Sequence, residues 1–99
     1  MWKGGNPMRI VIVDPDRRTQ NQVINQIKNK FESNDLHVFE NPIDAWKDIV
    51  INDVDYLFTK IEMPRYSGYE LATMAKKKKR SIEINFISAD GKDFIGETE

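Results

Sequence analysis

The sequence predicts a single α/β domain in which a parallel sheet of four recognisable strands carries helices on both faces. The main observation is an alternation of short apolar runs with amphipathic segments, in the order strand, helix, strand, helix, strand, helix, strand. Such alternation requires right-handed crossovers between parallel strands, and the crossovers place helices on the sheet faces. The second observation is size, because 99 residues with 39% hydrophobic content suffice for one hydrophobic core.

The first strand and the first helix are predicted over residues 9–13 and 17–31. The strand is a nearly continuous β-branched run, which is typical of a strand buried on both faces. It stops before Pro15, because proline cannot donate to a strand ladder. Asp16 is placed to cap the helix, in which apolar residues recur at helical spacing.

A second strand and helix follow. A weak alternation predicts a short strand at residues 36–39. Asn41 is placed to cap the next helix, and Pro42 suits its first position, where no backbone N–H is needed. Trp46 lies on the apolar face of this helix, which favours core packing over a ligand-binding role. The helix is expected to end at residues 52–53.

The second half of the chain predicts two more strands and one more helix. A third strand covers residues 54–59 and runs into a loop at residues 60–68 that contains a proline and a glycine. The third helix covers residues 69–79, and the fourth strand covers residues 82–87. From residue 88 onward the chain is mostly polar and predicts no further element.

Residues 1–7 have no hydrophobic periodicity and contain two glycines and a proline. We interpret them as a flexible leader, either a native extension or a remnant of expression. Residues 8–99 then form the one domain.

Composition excludes several classes of protein. Without cysteine the chain has no disulfide framework, thiol nucleophile or cysteine-based metal site, and its single histidine, His37, excludes a histidine-rich metal centre. His37 falls in the short second strand and is expected to be a surface or satisfied histidine. A net charge of -1 argues against dedicated non-specific nucleic-acid binding. No apolar stretch approaches the ~18 residues of a membrane span, and the N-terminus lacks the apolar run that is typical of a signal peptide, so we expect a soluble cytoplasmic domain.

In an open parallel sheet the functional crevice lies beyond the carboxyl ends of the strands. This rule selects residues 14–16 after the first strand, residues 59–62 after the third and residues 88–90 after the fourth. All three segments carry polar side chains. Carboxylates there would suit Mg²⁺, which takes oxygen ligands, and a hydroxyl beside an ammonium would bind an anionic oxygen.

Several stretches resemble the receiver domain of bacterial two-component response regulators. They are residues 10–14, residues 54–58 leading to Met63-Pro64 and Gly68, and residues 86–89. The resemblance spans Met8 to about Asp90. It implies a flavodoxin-like, receiver-type fold and a regulatory role in phosphorelay signal transduction.

The resemblance also assigns site positions, and here the chain departs from the pattern. Receivers usually hold Mg²⁺ with two adjacent acids after the first strand; Asp14 matches the first acid, but Pro15 stands at the second and the next acid is Asp16. They accept a phosphoryl group on an aspartate at the end of the third strand, where this chain has Lys60. Ser88 matches the hydroxyl residue that bonds the phosphoryl group and triggers switching. The family's lysine after a fifth strand has no counterpart.

These departures imply a degenerate receiver. Acyl-phosphate formation needs a carboxylate nucleophile and a metal that neutralises the charge of the transferring group, whereas Lys60 supplies an ammonium. We therefore expect no phosphorylation at this position and no Mg²⁺, for which Asp14 alone would be a weak ligand. We also expect Lys60 to form a salt bridge with Asp14 in place of the metal.

Three polar side chains near the predicted site have a purely structural interpretation beside the functional one. Asp16 could ligate a metal, but its position favours the helix cap. Glu62 could be a displaced acidic ligand, and a solvated loop carboxylate is the simpler interpretation. Ser88 is either a switch hydroxyl or an ordinary turn residue.

The basic run at residues 76–80 invites a nucleic-acid interpretation. Cations at a helix C-terminus also complement the helix dipole by roughly 0.3–1 kcal/mol each, and no aromatic residues interleave with these. We favour the dipole, and expect nucleic-acid contact only through an output domain.

The sequence leaves three functions open. The first is a regulatory interaction module, not an enzyme, that controls dimerisation or an attached output domain, most often a DNA-binding one in this family. The second is an active receiver with an unorthodox acceptor, for which Asp14 would be the only well-placed carboxylate. The third is a flavodoxin-like small-ligand-binding domain, which Pro15 disfavours because no glycine-rich phosphate cradle follows the first strand.

The resemblance implies five strands in the order 2-1-3-4-5 and a fifth helix, whereas only four strands are predicted here. A missing strand would expose the edge of the fourth strand at residues 84–87, and a missing helix would uncover part of the first strand. We therefore expect a receiver-like domain that is incomplete at its C-terminus. It would be either a fragment or a chain completed by a second copy, as a homodimer or by segment exchange.

Overall fold

The computed structural model describes residues 8–30 and 34–96. The predicted leader at residues 1–7 and the predicted last residue of the first helix, Phe31, lie outside the described residues. No helix in the described part of the chain is long and apolar enough to cross a membrane. The elements are β1 Met8–Val13, α1 Arg17–Lys30, β2 Asn34–Phe39, α2 Pro42–Ile51, β3 Tyr56–Lys60, α3 Gly68–Lys78, β4 Glu83–Ile87 and β5 Phe94–Gly96.

These strands form one mixed sheet in the order β2-β1-β3-β4-β5. The first four strands are parallel, as the βαβ alternation predicts, and β5 is antiparallel to β4. The predicted α/β class is therefore confirmed. The sheet is not purely parallel, because β4 and β5 are joined by a turn of six residues, and a turn of that length reverses the chain.

Each face of the sheet carries its own hydrophobic core. One core packs α1 against β1 and β3, with Val23 and Ile27 as the buried helix residues. The other packs α2 and α3 against the opposite face, where Ile49 and Leu71 contribute. The four residues at 10–13 are completely buried. The prediction that β1 is buried on both faces is confirmed, and the expectation that part of it is uncovered is wrong.

Side-chain caps begin the helices. Asp16 precedes α1, and its Oδ1 accepts the Arg18 N–H at 2.8 Å, so Asp16 is the predicted cap. Asn41 caps α2 in the same way and is followed by Pro42 at the first helical position. Ser67 caps α3. The beginnings of α1 and α2 are therefore where the sequence predicts them.

Arg9 and three carboxylates tie the amino-terminal edge of the sheet together. The Arg9 guanidinium lies 2.6 Å from Asp48 on α2 and 3.3 Å from Asp35 on β2. The Arg9 backbone N–H donates to Asp55 at 2.9 Å. The His37 side chain is partly exposed, and its Nε2 lies 3.0 Å from Asp35 Oδ1 without forming a hydrogen bond.

Each predicted strand differs from the structure at one end or both: β1 and β2 begin one and two residues earlier than predicted, and β3 ends one residue later. The predicted ends of α2 and α3 are also displaced by one or two residues. The third strand begins at Tyr56, not at residue 54, because the Asp55 N–H and carboxylate bond to Arg9 at the entry of the strand. The fourth strand begins at Glu83, one residue later than predicted.

β5 corrects the expectation that the edge of the fourth strand lacks a partner. Asn85, Phe86 and Ile87 pair with Gly96, Ile95 and Phe94 of the same chain. A second copy is therefore not needed to cover these residues. A three-residue strand in a polar tail has too little periodicity to be predicted.

Truncation of Phe94 tests whether β5 packs as described. Its ring meets Phe58 edge to face, with centroids 4.8 Å apart, on the α1 side of the sheet. Because the ring is half-buried, we expect Phe94→Ala to lower the free energy of unfolding by about 1.5 kcal/mol, less than for a fully buried phenylalanine. Ile95 points to the opposite face and is 57% exposed. Ile95→Ala should therefore change the free energy of unfolding by less than about 0.5 kcal/mol. Urea denaturation of both variants checks the pair, and equal effects would contradict the placement of β5.

Candidate functional site

The sheet brings three of the predicted site residues to neighbouring strand ends. Val13 is in register with Thr59, and Lys60 is in register with Ile87. Asp14, Lys60 and Ser88 therefore stand side by side at the carboxyl edge of β1, β3 and β4. This is the edge that the crevice rule selects.

Asp14 is the buried charge of the site, with 1% of its surface exposed. Its Oδ1 accepts the Asp16 N–H at 2.8 Å, and its backbone carbonyl accepts Gln20 Nε2 at 2.6 Å. Its Oδ2 is buried without a hydrogen-bond partner. Burial raises the pKa of the Asp14 carboxyl above its ordinary value, although the Asp16 N–H and the Lys60 ammonium both oppose the rise.

Gln20 is a site residue that sequence reasoning missed. It is buried, and its amide holds the main chain at the point where β1 ends. Its position on a helix rich in glutamine and asparagine gives no signal that separates it from its exposed neighbours.

Lys60 lies at the end of β3 and is partly exposed. The expected salt bridge with Asp14 is wrong: within the described residues Lys60 forms no ion pair, and Asp14 Oδ2 has no hydrogen-bond partner. The ammonium acts on Asp14 only at longer range. Keeping the ammonium partly in water avoids the large cost of desolvating both charges.

The donor set does not fit the magnesium site that the resemblance implies. Asp14 supplies one buried carboxylate, and Pro15 supplies no side-chain donor. Asp16 is exposed, and its Oδ1 accepts the Arg18 N–H at the beginning of α1. Across residues 8–30 and 34–96, no group of three or more His, Asp or Glu side chains could hold a metal ion. Mg²⁺ bound through protein carboxylates would also face the Lys60 ammonium.

Ser88 is part of the turn between β4 and β5. Its Oγ donates to Asp90 Oδ1 at 2.8 Å and accepts the Asp93 N–H at 3.0 Å. Asp90 Oδ1 also accepts the Lys92 N–H. The hydroxyl is therefore engaged in forming the turn, and its role as a switch hydroxyl stays a prediction.

The loop after Lys60 returns tightly to the sheet. Gly68 begins α3, and its N–H donates to the Ile61 carbonyl at 2.7 Å. A Cβ at Gly68 would lie 2.2 Å from the Lys60 carbonyl oxygen, so no side chain fits there. The predicted loop residues divide by burial: Met63 packs against the core, while Glu62 and Pro64 are exposed. The Glu62 carboxylate thus lies in solvent.

The same loop contains a strained turn that the sequence does not signal. The Tyr66 N–H donates to the Pro64 carbonyl at 2.9 Å, and Arg65 between them has a φ of 77°. This is a γ-turn of the rare kind that places a non-glycine residue in the left-handed region. It presents Tyr66 on the outer surface, 46% exposed.

The basic run at residues 76–80 is partly used for internal contacts at the C-terminus of α3. Lys79 Nζ lies 2.6 Å from Asp53, and Lys78 Nζ donates to the Asn52 carbonyl at 3.4 Å. These contacts join the end of α3 to the segment after α2. They agree with the structural interpretation of the run.

Comparison with known proteins decides the family. The model of the response regulator receiver domain family matches residues 10–98. The chain belongs to this family. The matched residues include most of β1 and all of the later elements through β5. The receiver domain has the strand order of the family, with three helices and an antiparallel β5 within the described residues.

Relatives of known structure share this fold. A two component transcriptional regulator AraC from Clostridium phytofermentans is 28% identical, with a TM-score of 0.72 over 81% of this chain and 65% of that one. A CheY-like response regulator receiver domain protein from Methanospirillum hungatei is 17% identical, with a TM-score of 0.73 over 83% of this chain and 64% of that one.

Among curated proteins, the transcriptional regulatory protein NatR of Bacillus subtilis is 35% identical over 48 residues. The match covers 48% of this chain and 21% of NatR. The receiver domain therefore spans only part of the length of the proteins it resembles.

Proposed function

We propose that this receiver domain is a regulatory module, not an enzyme, that is not phosphorylated at the usual position and works through protein contacts. The observation that carries the proposal is Lys60 at the end of β3, beside the one buried carboxylate of Asp14. An ammonium cannot form an acyl phosphate, and it offers no ligand to the metal that phosphoryl transfer requires.

Asp14 is a poor substitute acceptor. Its carboxylate is buried, and the Oδ2 oxygen that lacks a partner has no exposed surface from which to attack a phosphodonor. Burial also raises the pKa of Asp14, because the ionised carboxylate is less well solvated at this position. An active receiver that uses Asp14 is therefore the less favoured function.

The proposed output is control of dimerisation or of an attached output domain. The support is the partial coverage of relatives, one of which is named a transcriptional regulatory protein. In this proposal any nucleic-acid contact belongs to the output domain.

Phosphodonor treatment tests the proposal. We expect the chain, incubated with Mg²⁺ and acetyl phosphate, to gain no phosphoryl group by intact mass spectrometry. We also expect no rise in the melting temperature with Mg²⁺ and beryllofluoride, because a ligand that binds the folded state must raise it.

A double variant supplies the matched control. Pro15→Asp with Lys60→Asp restores the two acids that the family pattern has at these positions, and acetyl phosphate should then add one phosphoryl group. Incorporation by the unmodified chain would overturn the proposal. If that incorporation were lost in Asp14→Asn, the active receiver with Asp14 as acceptor would replace it.

A further inference from the structure

An apolar groove lies on the outer surface between α2 and α3. It has a volume of about 280 Å³. Its lining is formed by Pro42, Ile43, Trp46, Tyr66, Leu71 and Met74. The only side-chain polar groups in this lining are an indole N–H and a phenol hydroxyl, which is too few to select a polar small molecule.

The groove continues along the helices into a second, more open concavity. Trp46 and Met74 line both, and the extension adds Val50, Lys77 and Lys78. From Pro42 to Val50 the α2 side measures roughly 12 Å at 1.5 Å per residue. The combined surface therefore has the length of about two turns of a docked helix.

The strained turn at Arg65 lies directly before Tyr66, which lines this groove. Strain of this kind costs on the order of 1–3 kcal/mol and is retained where it has a use. Its result here is that Tyr66 forms one wall of the groove. Tryptophan, tyrosine and methionine are the residue types enriched at the centres of protein interfaces.

The two ends of the groove differ in charge. At the beginning of the helices, Asp44 and Glu70 are both engaged in caps. At the other end, Lys77 is exposed and has no hydrogen bond or ion pair within the described residues. Lys78 reaches only a main-chain carbonyl. This end therefore attracts negative charge.

We propose that the α2–α3 groove docks an amphipathic helix of a partner protein, with its apolar face on Trp46 and Met74 and its acidic residues over Lys77 and Lys78. A groove between two helices accepts the ridge of a third at 8–10 Å between axes, and apolar anchors at i, i+3 or i+4 and i+7 match its length. The inference goes beyond the proposed function, because it holds whether or not Lys60 prevents phosphorylation.

Fluorescence anisotropy of a labelled synthetic peptide tests this docking. The probe is a helix of about four turns with leucines at i, i+4 and i+7 and glutamates beyond the last leucine. We expect Lys77→Glu with Lys78→Glu to weaken its binding about tenfold. Tyr66→Ala, which removes a half-exposed ring, should also weaken binding without unfolding the domain.

Two controls keep the result specific. Lys28→Glu with Lys92→Glu makes the same charge change at exposed positions outside the groove and should leave peptide binding unchanged. A peptide with lysines in place of the glutamates should bind the Lys77→Glu, Lys78→Glu variant more tightly than the unmodified chain. This order of affinities is the reverse of that expected for the acidic peptide. In a Trp2→Phe background, the acidic peptide should shift the emission of Trp46.

Three outcomes would overturn the proposal. One is no binding of the acidic peptide, and another is equal weakening by both charge variants. The third is concentration-dependent dimerisation that Tyr66→Ala abolishes in sedimentation equilibrium, because a second copy would then be the occupant. None of these measurements uses a phosphodonor. A negative result for peptide docking therefore leaves the proposed absence of phosphorylation at Lys60 to be tested separately.

Discussion

We expect Gly68→Ala to destabilise the receiver domain by about 3 kcal/mol, as overpacking against a fixed backbone does. The added Cβ would lie 2.2 Å from the Lys60 carbonyl oxygen and 3.1 Å from the Ile61 Cα. Both neighbours are main-chain atoms of β3 and its exit, so neither can move without disturbing the sheet. Since 1 kcal/mol shifts the melting temperature of a domain this size by ~4–8 °C, the variant should melt more than about 10 °C lower.

Gly96→Ala is the matched control. A Cβ at Gly96 would meet only Asn85 Oδ1, at 4.0 Å. The free energy of unfolding should therefore change by no more than about 0.5 kcal/mol. Thermal denaturation of both variants, followed by circular dichroism, makes the comparison. A Gly68→Ala domain as stable as the Gly96→Ala domain would show that α3 does not approach the end of β3 this closely.

Asp14→Asn is expected to stabilise the domain at neutral pH by about 2 kcal/mol, because it removes a buried charge whose Oδ2 has no partner. The side-chain oxygen of the introduced asparagine can still accept the hydrogen bond that the Asp16 N–H donates to Asp14 Oδ1 in the unmodified chain. The gain should depend on pH. Burial raises the pKa of Asp14 in the folded chain above the ordinary value of 3.8, so the folded state binds this proton more tightly than the unfolded state.

The sign of the dependence follows from linkage. The stability that Asp14 contributes is complete below its ordinary pKa and is lost as the pH rises through the raised folded-state pKa. The stabilising effect of Asp14→Asn relative to the unmodified chain should therefore be smallest below pH 3.8 and grow as the pH rises through the raised folded-state pKa. Urea denaturation across this range measures it.

Asp16→Asn is the control for this pH series. Asparagine caps helices as well as aspartate does, and Asp16 is exposed, so the change should stay within about 0.5 kcal/mol. A gain for Asp14→Asn that did not change with pH would contradict the account of a buried, proton-binding carboxyl.

The sequence predicted the parts of the fold in which local chemistry and tertiary packing agree. Residues 10–13 are apolar throughout and lie at the centre of the sheet, and Asn41-Pro42 begins α2 as expected. β5 was missed because Phe94 and Ile95 owe their strand conformation to pairing with β4 and not to any pattern of their own.

The candidate site was predicted in its positions but not in its contacts. The crevice rule and the family pattern bring Asp14, Lys60 and Ser88 together, as the register confirms. The predicted salt bridge between Lys60 and Asp14 was wrong because the cost of desolvation keeps the ammonium partly in water. The order of residues in the sequence does not show this cost. Tyr66 was missed because its exposure depends on a positive φ at Arg65, a residue type that rarely adopts one.

The six-residue turn between β4 and β5 also bears on how the chain folds. The parallel pairs β1–β2 and β3–β4 close over about twenty residues each, whereas β4–β5 closes over six. Each doubling of loop length raises the entropic free-energy cost of loop closure by ~0.6 kcal/mol. Closing the β4–β5 connection therefore costs roughly 1 kcal/mol less than closing either parallel connection. Hairpins close within microseconds, and local contacts speed folding. The outer edge of β4 can thus pair with β5 early in folding, through a short connection. β4 is then not an unpaired edge strand during the slower closure of the parallel pairs.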